Sequence, residues 1–256
     1  MLLFERGLVE SREKAKAVIM SGNVFIGGNR ADKPGVQVDT EADIEVRGER
    51  GYVSRGGAKL EKALTHFAVT AEGRICIDCG ASTGGFTDCL LKHGAQRVYA
   101  IDVGYGQLAW SIRSDPRVVA MERTNVRYLT PDMLETQPDL AVADVSFISL
   151  ALVLPVVKSL LTAEGEALCL IKPQFEAGRG KVGKNGVVRD KETHIAVLDM
   201  FISNAQLSGF SVKGLTHSPI KGPQGNIEFL GWLGAGGEGK DIDVAEVVKT
   251  AHSELY

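Results

Sequence analysis

Four charged residues stand where the surrounding sequence is apolar. Asp144 closes the run Leu140-Ala141-Val142-Ala143, and Lys172 closes Leu168-Cys169-Leu170-Ile171 just before Pro173. Glu228 interrupts Ile227-Glu228-Phe229-Leu230, and Lys59 opens a helical pattern directly after a glycine-rich segment. A half-buried lysine between carboxylates is tunable in both directions, because desolvation lowers its pKa and the carboxylates raise it. Held in this way, a lysine can take the proton of a ribose 2′-hydroxyl while a methyl group moves in line from a sulfonium. The same four residues also read as structural ion pairs, and pattern alone leaves both readings open.

A second constellation is the run Asp78-Cys79-Gly80-Ala81-Ser82-Thr83-Gly84-Gly85-Phe86-Thr87. Ligands of doubly wound sheets bind outside the carboxyl ends of the strands, and small residues there let the backbone approach a ligand and turn into a helix. The spacing is not G-x-G-x-x-G, which disfavours a dinucleotide pyrophosphate cradle. The next strand ends Ala100-Ile101-Asp102. A carboxylate at that place can accept both hydroxyls of a ribose. Asp78 and Asp102 together suit S-adenosylmethionine, whose ammonium group and ribose both offer donors. The bland alternative is a plain glycine turn.

These residues need elements to hold them. Ser11 suits the N-cap of a helix over residues 12–20, with Ala15, Val18 and Ile19 on one face and Gly22 at its C′ position. Residues 23–29 read as a strand entering a tight turn, and 36–38 and 44–46 alternate like half-buried strands. Residues 48–58 are rich in glycine and arginine without a period, which reads as a linker or hinge. From Lys59 onward helix and strand alternate. Helices are expected over 59–67, 85–93, 108–112, 150–161, 193–207 and 243–252. Strands are expected over 74–79, 97–103, 118–121, 140–145, 167–171, 210–216 and 226–233. This alternation means an α/β fold with a mostly parallel, doubly wound sheet covered on both faces. Its last two strands form an antiparallel hairpin, the arrangement of class I Rossmann-like methyltransferases.

The chain has 256 residues, 44% hydrophobic and 24% charged. These values describe a globular chain of one or two domains that can bury a core without staples. Four cysteines make no disulfide scaffold. Cys76 and Cys79 fall on opposite faces of one strand, which argues against a shared zinc or redox role. No histidines have ligand spacing, so no metal is expected. Trp110, Trp232 and His217 read as packing residues. The start, Met1-Leu2-Leu3-Phe4-Glu5-Arg6, lacks the basic region of a secretory signal, and the longest near-apolar stretch, 145–157, is too short and broken to span a membrane. The expectation is a cytoplasmic protein. A net charge of −3 excludes a bulk polycation but not a local basic patch.

Five motifs, in order, carry a resemblance. They are Arg50-Gly51-Tyr52-Val53-Ser54-Arg55-Gly56-Gly57-Ala58-Lys59-Leu60, the 78–87 turn, Ala143-Asp144-Val145-Ser146-Phe147-Ile148-Ser149, Ile171-Lys172-Pro173-Gln174-Phe175-Glu176, and Gly222-Pro223-Gln224-Gly225-Asn226-Ile227-Glu228-Phe229-Leu230. With them the chain resembles the TlyA family. These are S4-domain proteins with an FtsJ-like ribose 2′-O-methyltransferase domain, also labelled haemolysins. The resemblance implies a small α+β S4-like RNA-binding domain over 1–48, a hinge over 49–58 and a methyltransferase domain over 59–256. It places the family's catalytic Lys-Asp-Lys-Glu set on Lys59, Asp144, Lys172 and Glu228. Lys172 would be the general base, Asp144 and Glu228 would orient it, and Lys59 would help place the target ribose. S-adenosylmethionine would be held by Asp78, Gly80, Ala81, Ser82, Thr83, Gly84, Gly85, Phe86, Thr87, Asp102 and Asp144, with Asn125 near the adenine. The implied substrate is a cytidine 2′-hydroxyl in ribosomal RNA. Residues 6–16 and 22–24 are similar to an S4 domain, although Met1-Leu2-Leu3-Phe4 leaves a shorter first helix than the family pattern.

The expected RNA contacts are Arg6, Arg12, Lys14 and Lys16 in the first segment and Arg50 and Arg55 beside the hinge. Arg179, Lys181, Lys184 and Arg189 lie in the glycine-rich loop after Lys172. That loop is too long for a plain connector and is expected to be a mobile substrate loop pairing with phosphates. Two rivals stand beside the enzyme reading. One is a ribosome-associated RNA-binding factor without catalysis, which the four intact charged positions disfavour. The other is a haemolysin-type membrane-active protein, which the absence of a spanning segment disfavours. Nothing in the sequence fixes an oligomeric state.

Overall fold

Two patterns of apolar residues build two sheets of unequal size. The computed structural model describes residues 2–9, 11–20, 24–46 and 51–255. Helices α1 (Leu2–Glu5) and α2 (Arg12–Met20) pack on a three-stranded antiparallel sheet of β1 (Val24–Ile26), β2 (Asn29–Ala31) and β3 (Ile44–Val46), ordered β2-β1-β3. Leu3, Ala15, Val18 and Val24 form its core. The Ser11 hydroxyl accepts a hydrogen bond from Lys14 N at 3.1 Å and caps α2. The strand expected over 36–38 is not found. Asn29–Ala31 takes the third-strand position instead, and Val36, without a partner strand, is exposed. Gly22, Arg50 and residues 48–49 lie outside the described residues.

The segment read as a hinge is ordered from its described start. Tyr52 is buried against Leu60, Phe86 and Leu90, and Val53 N donates to Asp88 Oδ2 at 2.9 Å. Helix α3 (Gly56–Phe67) begins three residues before the expected position. Then follow β4 (Ile75–Cys79), α4 (Gly85–Lys92), β5 (Arg97–Ile101), α5 (Trp110–Arg113), β6 (Val118–Met121), β7 (Leu140–Ala143), α6 (Leu154–Leu160), β8 (Glu166–Ile171), α7 (Pro173–Glu176), α8 (Lys191–Leu207), β9 (Ser211–His217), β10 (Phe229–Gly234) and α9 (Val244–Leu255). The seven-stranded sheet runs β6-β5-β4-β7-β8-β10-β9. Strands β4 to β8 pair in parallel, and β10 lies antiparallel between β8 and β9.

Strands buried on both faces read as continuous apolar runs, because each face needs its own layer of side chains. One face packs Cys76, Leu140 and Leu168 against Leu60 and Leu64 of α3 and Leu90 of α4. The other packs Ile77, Cys79 and Ile171 against Leu154 of α6, Phe201 of α8 and Val248 of α9. Cys76 and Cys79 therefore do face opposite layers. Burial pushes the thiols of Cys76, Cys89 and Cys169 up to about 12, and that of Cys79 further still.

Three local expectations are corrected. The helix expected over 150–161 is a 3-10 turn, Leu150–Leu152, followed by α6, because Pro155 lacks an N–H and fits only the first turn of a helix. The strand expected from 226 begins at Phe229, so Glu228 stands at the strand's entry and not within its ladder. Trp110 is 78% exposed at the start of α5, not core.

Candidate active site

Parallel strands end at one edge of the sheet, and so do the residues that follow them. Gly80 follows β4, Asp102 follows β5, Asp144 follows β7 and Lys172 follows β8. Because β10 runs antiparallel, Glu228 enters at that same edge. Helix α3 brings Lys59 over it from the side.

The four charged residues form two pairs. Lys59 Nζ donates to Glu228 Oε2 at 2.5 Å, with the side chains 9% and 1% exposed. Lys172 Nζ lies 2.6 Å from Asp144 Oδ1 and donates a hydrogen bond to Ser146 Oγ at 2.8 Å. The resemblance implied that Glu228 would orient Lys172, whereas its carboxylate is engaged by Lys59. A side chain at Gly222 would place Cβ 2.5 Å from Glu228 Oε1, so glycine there makes room for the carboxylate.

Two clefts meet at these pairs. Lys59, Arg55, Lys172, Gln174, Phe175 and Glu228 line the first. Asp102, Gln107, Asn125, Arg127 and Leu152 line the second, whose volume is about 730 Å³, within the range of roughly 300–1,000 Å³ for small-ligand sites. Gly80, Ser82, Asp144, Ser146 and Phe147 belong to both. Gly80 has φ 95°, and a Cβ there would sit 2.7 Å from the Asp144 carbonyl oxygen. The turn thus presses directly on the strand that carries Asp144. Asp102 Oδ2 accepts from Ser82 N at 2.8 Å and Oδ1 from Gly104 N at 2.7 Å, which fixes the carboxylate at the cleft wall. Asn125 Oδ1 caps a 3-10 turn through Arg127 N at 3.1 Å.

Not every expected cofactor residue reaches a cleft. Ala81, Thr83, Gly85 and Phe86 line the first cleft beside the ion pairs. Gly84 packs against Leu108 and Ile112. Asp78 and Thr87 are fully buried beneath the turn, with Thr87 Oγ1 donating to Asp78 Oδ2 at 2.6 Å. Asp78 Oδ1 is buried with no hydrogen-bond partner. Burial, opposed by the Thr87 hydrogen bond, pushes the Asp78 carboxyl up to about 7.

The expected RNA contacts separate in the same way. Arg12, Lys14 and Lys16 are exposed on α2. Arg6 instead ties α1 to the 40–42 loop by donating to the carbonyls of Thr40 and Ala42. Arg55 lines the first cleft and lies 3.8 Å from Asp32 of the N-terminal segment. Arg50 is outside the described residues. Lys181 and Arg189 are exposed, and Arg179 and Lys184 fall on the 3-10 turns Arg179–Lys181 and Lys184–Gly186. The far end of this loop is pinned: buried Asn226 accepts from Val188 N and donates to Gly186 O, both at 2.9 Å. His217 has its Nε2 3.3 Å from Glu254 on α9 and lies outside both clefts.

Sequence reasoning missed four residues here. Ser146 touches Lys172, and Asn226 joins the loop after Lys172 to the loop that carries Glu228. Gln174 holds its Oε1 buried without a partner. Phe147 is 92% exposed at φ 62°, its ring 5.1 Å from that of Phe175. An exposed phenyl ring held in a left-handed backbone conformation is a costly arrangement, and its ring contact with Phe175 is its packing return. A loop aromatic with no periodicity around it gave no signal.

Among the described residues no group of three or more His, Cys, Asp or Glu is placed to hold a metal ion, and no helix is long and apolar enough to cross a membrane.

The family profile of FtsJ-like methyltransferases matches residues 52–235, and that of the S4 domain matches residues 1–44. The chain is 53% identical to YqxC of Bacillus subtilis, named as a candidate rRNA methyltransferase, over all of this chain and 94% of that protein. It is 49% identical to the 16S/23S rRNA (cytidine-2′-O)-methyltransferase TlyA of Mycobacterium tuberculosis over 90% of this chain and 87% of that one. A solved Streptococcus thermophilus structure carrying a haemolysin name aligns with TM-score 0.79 and 48% identity, covering 99% of this chain and 94% of that one. With both profiles matched in order and relatives aligned over nearly their full length, the chain belongs to the TlyA family of S4-domain, FtsJ-like methyltransferases.

Proposed function

We propose that this enzyme transfers a methyl group from S-adenosylmethionine to the 2′-hydroxyl of a cytidine in ribosomal RNA. One observation carries the reading: a cleft walled by Asp102 and Asn125 and a cleft walled by Lys59, Lys172 and Glu228 share Asp144 and Ser146 between them. A donor and an acceptor seated one in each would meet at Lys172. The residues present fit the cofactor. Asp102 has lone pairs left for ribose hydroxyls after its two backbone bonds, and Gly80 leaves the turn open where a side chain would not fit.

When bound, S-adenosylmethionine supplies a methyl carbon made electrophilic by its sulfonium. Lys172 takes the proton of the 2′-hydroxyl, and Asp144 stabilises the ammonium that results. The Lys59–Glu228 pair seats the ribose, Lys59 offering N–H donors from a side chain that Glu228 holds still. Phe147, exposed between the clefts, stacks on the target base. The exposed cations of α2 and of the loop after Lys172 neutralise phosphates. In this assignment residues 1–48 dock on RNA, 59–256 do the chemistry, and the work takes place on ribosomal subunits in the cytoplasm.

The test is to incubate the protein with tritiated S-adenosylmethionine and ribosomal subunits from cells lacking its gene, then map the label on 16S and 23S RNA. The expected result is one or more cytidines labelled on the ribose. Label on a base, or none in RNA, overturns the proposal.

A further inference from the structure

Lys172 Nζ has two close polar neighbours. Asp144 Oδ1 lies 2.6 Å away, and Ser146 Oγ accepts a hydrogen bond at 2.8 Å. An amine that is to take a proton must first be neutral, with two N–H bonds and one lone pair. Its four tetrahedral directions are then the bond to Cε, the two N–H bonds and the lone pair. A single fixed acceptor can be met by either N–H bond, which leaves the lone pair two directions. Ser146 Oγ is that acceptor, and the charge of Asp144 Oδ1, 2.6 Å away without an aligned hydrogen bond, disfavours the direction that would turn the lone pair towards it. The Lys172 side chain is 11% exposed, so little of its surface remains open to the cleft that it lines.

The geometry points to Ser146 as a positioning residue for methyl transfer: its hydroxyl accepts one N–H bond of neutral Lys172 and, with the Asp144 carboxylate alongside, leaves the lone pair to face the ribose 2′-hydroxyl. This role rests on the function proposed above. In the step, the O2′–H bond breaks and the Nζ lone pair forms a new N–H bond to its proton. The electron pair left on O2′ forms the bond to the methyl carbon. The carbon–sulfur bond breaks with its pair kept by sulfur, which leaves as a neutral thioether. Ser146 adds no charge to the site. The other charges nearby are already engaged: Lys59 with Glu228, and Glu176 of α7 with Ser149 Oγ and Leu150 N at 2.6 and 2.8 Å. Ser146 is exposed, and the buried residue before it, Val145, fixes its backbone, so substitution leaves the core intact.

The test compares wild type, Ser146→Ala and Ser146→Thr on ribosomal subunits from cells lacking the gene, with labelled S-adenosylmethionine. Ser146→Ala is expected to lose about 10- to 100-fold in kcat, because a misdirected base forfeits most of the gain from positioning. The kcat is read at saturating S-adenosylmethionine, so that a change in cofactor affinity at the cleft wall that Ser146 shares does not enter it. Ser146→Thr, which keeps the hydroxyl, restores the rate. A wild-type rate in Ser146→Ala overturns the role, as does an equal loss in both variants. A wild-type protein that labels neither subunit overturns the methyl-transfer reading and this role with it, an outcome distinct from the other two.

Discussion

Lys59 and Glu228 stand 169 positions apart in sequence and 2.5 Å apart in the fold, Nζ to Oε2. Both side chains are nearly closed to solvent, so neither charge can be left alone cheaply. Removing one partner of such a pair typically costs about 3–5 kcal/mol, while replacing both by apolar residues of similar volume is often neutral. Glu228→Ala should therefore lower the melting temperature sharply and abolish methylation. The double variant Lys59→Met, Glu228→Met should recover most of the stability and none of the activity. Thermal melts beside methyl-transfer assays check this. Recovery of activity in the double variant would show the pair to be purely structural.

Lys172→Ala removes the proton acceptor while Asp144, at 23% exposure, keeps access to water. Methyl transfer should fall by at least about 10²- to 10⁴-fold, the usual contribution of a general base. Affinity for S-adenosylmethionine should persist in calorimetry. Full activity on ribosomal subunits would remove Lys172 from the mechanism.

Asp78 sets a pH dependence of stability. Burial holds its carboxyl near 7, against about 4 in the unfolded chain, so the fold binds this proton more tightly than the unfolded state does. The stability it contributes is complete below about pH 4 and is lost as pH rises through about 7. Asp78→Asn keeps an acceptor for Thr87 and removes the titration. Its unfolding free energy relative to wild type, measured by denaturant titration, should climb between pH 4 and pH 7 and level off above, by an amount on the order of a few kcal/mol. A difference that stays flat across that range would refute the assignment.

Phe147 separates stability from activity. Glycine at its φ of 62° relieves about 1–2 kcal/mol of left-handed strain, which offsets the lost contact with Phe175. Phe147→Gly should melt within a few degrees of wild type yet bind RNA about 1–3 kcal/mol more weakly, the usual worth of one stacked base. Filter binding and melting curves decide it, and unchanged RNA affinity would count against stacking.

RNA affinity should fall steeply with salt despite the net charge of −3, because the relevant cations are local. Arg12→Ala and Lys16→Ala, both at exposed sites on α2, should each reduce the slope of log affinity against log salt by about 1. Unchanged slopes would place the phosphates elsewhere.

Much of the site was legible because strand ends are legible. Asp102, Asp144 and Lys172 each close an apolar run, and a parallel sheet gathers such ends along one edge. Partnerships were not legible. Nothing local to Glu228 says that its carboxylate meets Lys59 and not Lys172, since that depends on how α3 crosses the sheet. Arg6 reads as a free cation in sequence, yet the fold spends its guanidinium on two carbonyls of the 40–42 loop. The alternation at 36–38 suggested a strand, but Asn29–Ala31 occupies the place where it would pair. Proline, by contrast, is legible: Pro155 breaks the 150–161 helix by a rule that local sequence already contains.

The four thiols carry a practical consequence. Cys76, Cys79, Cys89 and Cys169 are all buried, and burial holds each firmly in its protonated form. Colourless to a thiol reagent while folded, the protein should react only at the moment its layers part, two of them on one side of the sheet and two on the other. The rate of labelling at each cysteine then times the opening of each layer separately, a stopwatch already wired into both faces of the enzyme.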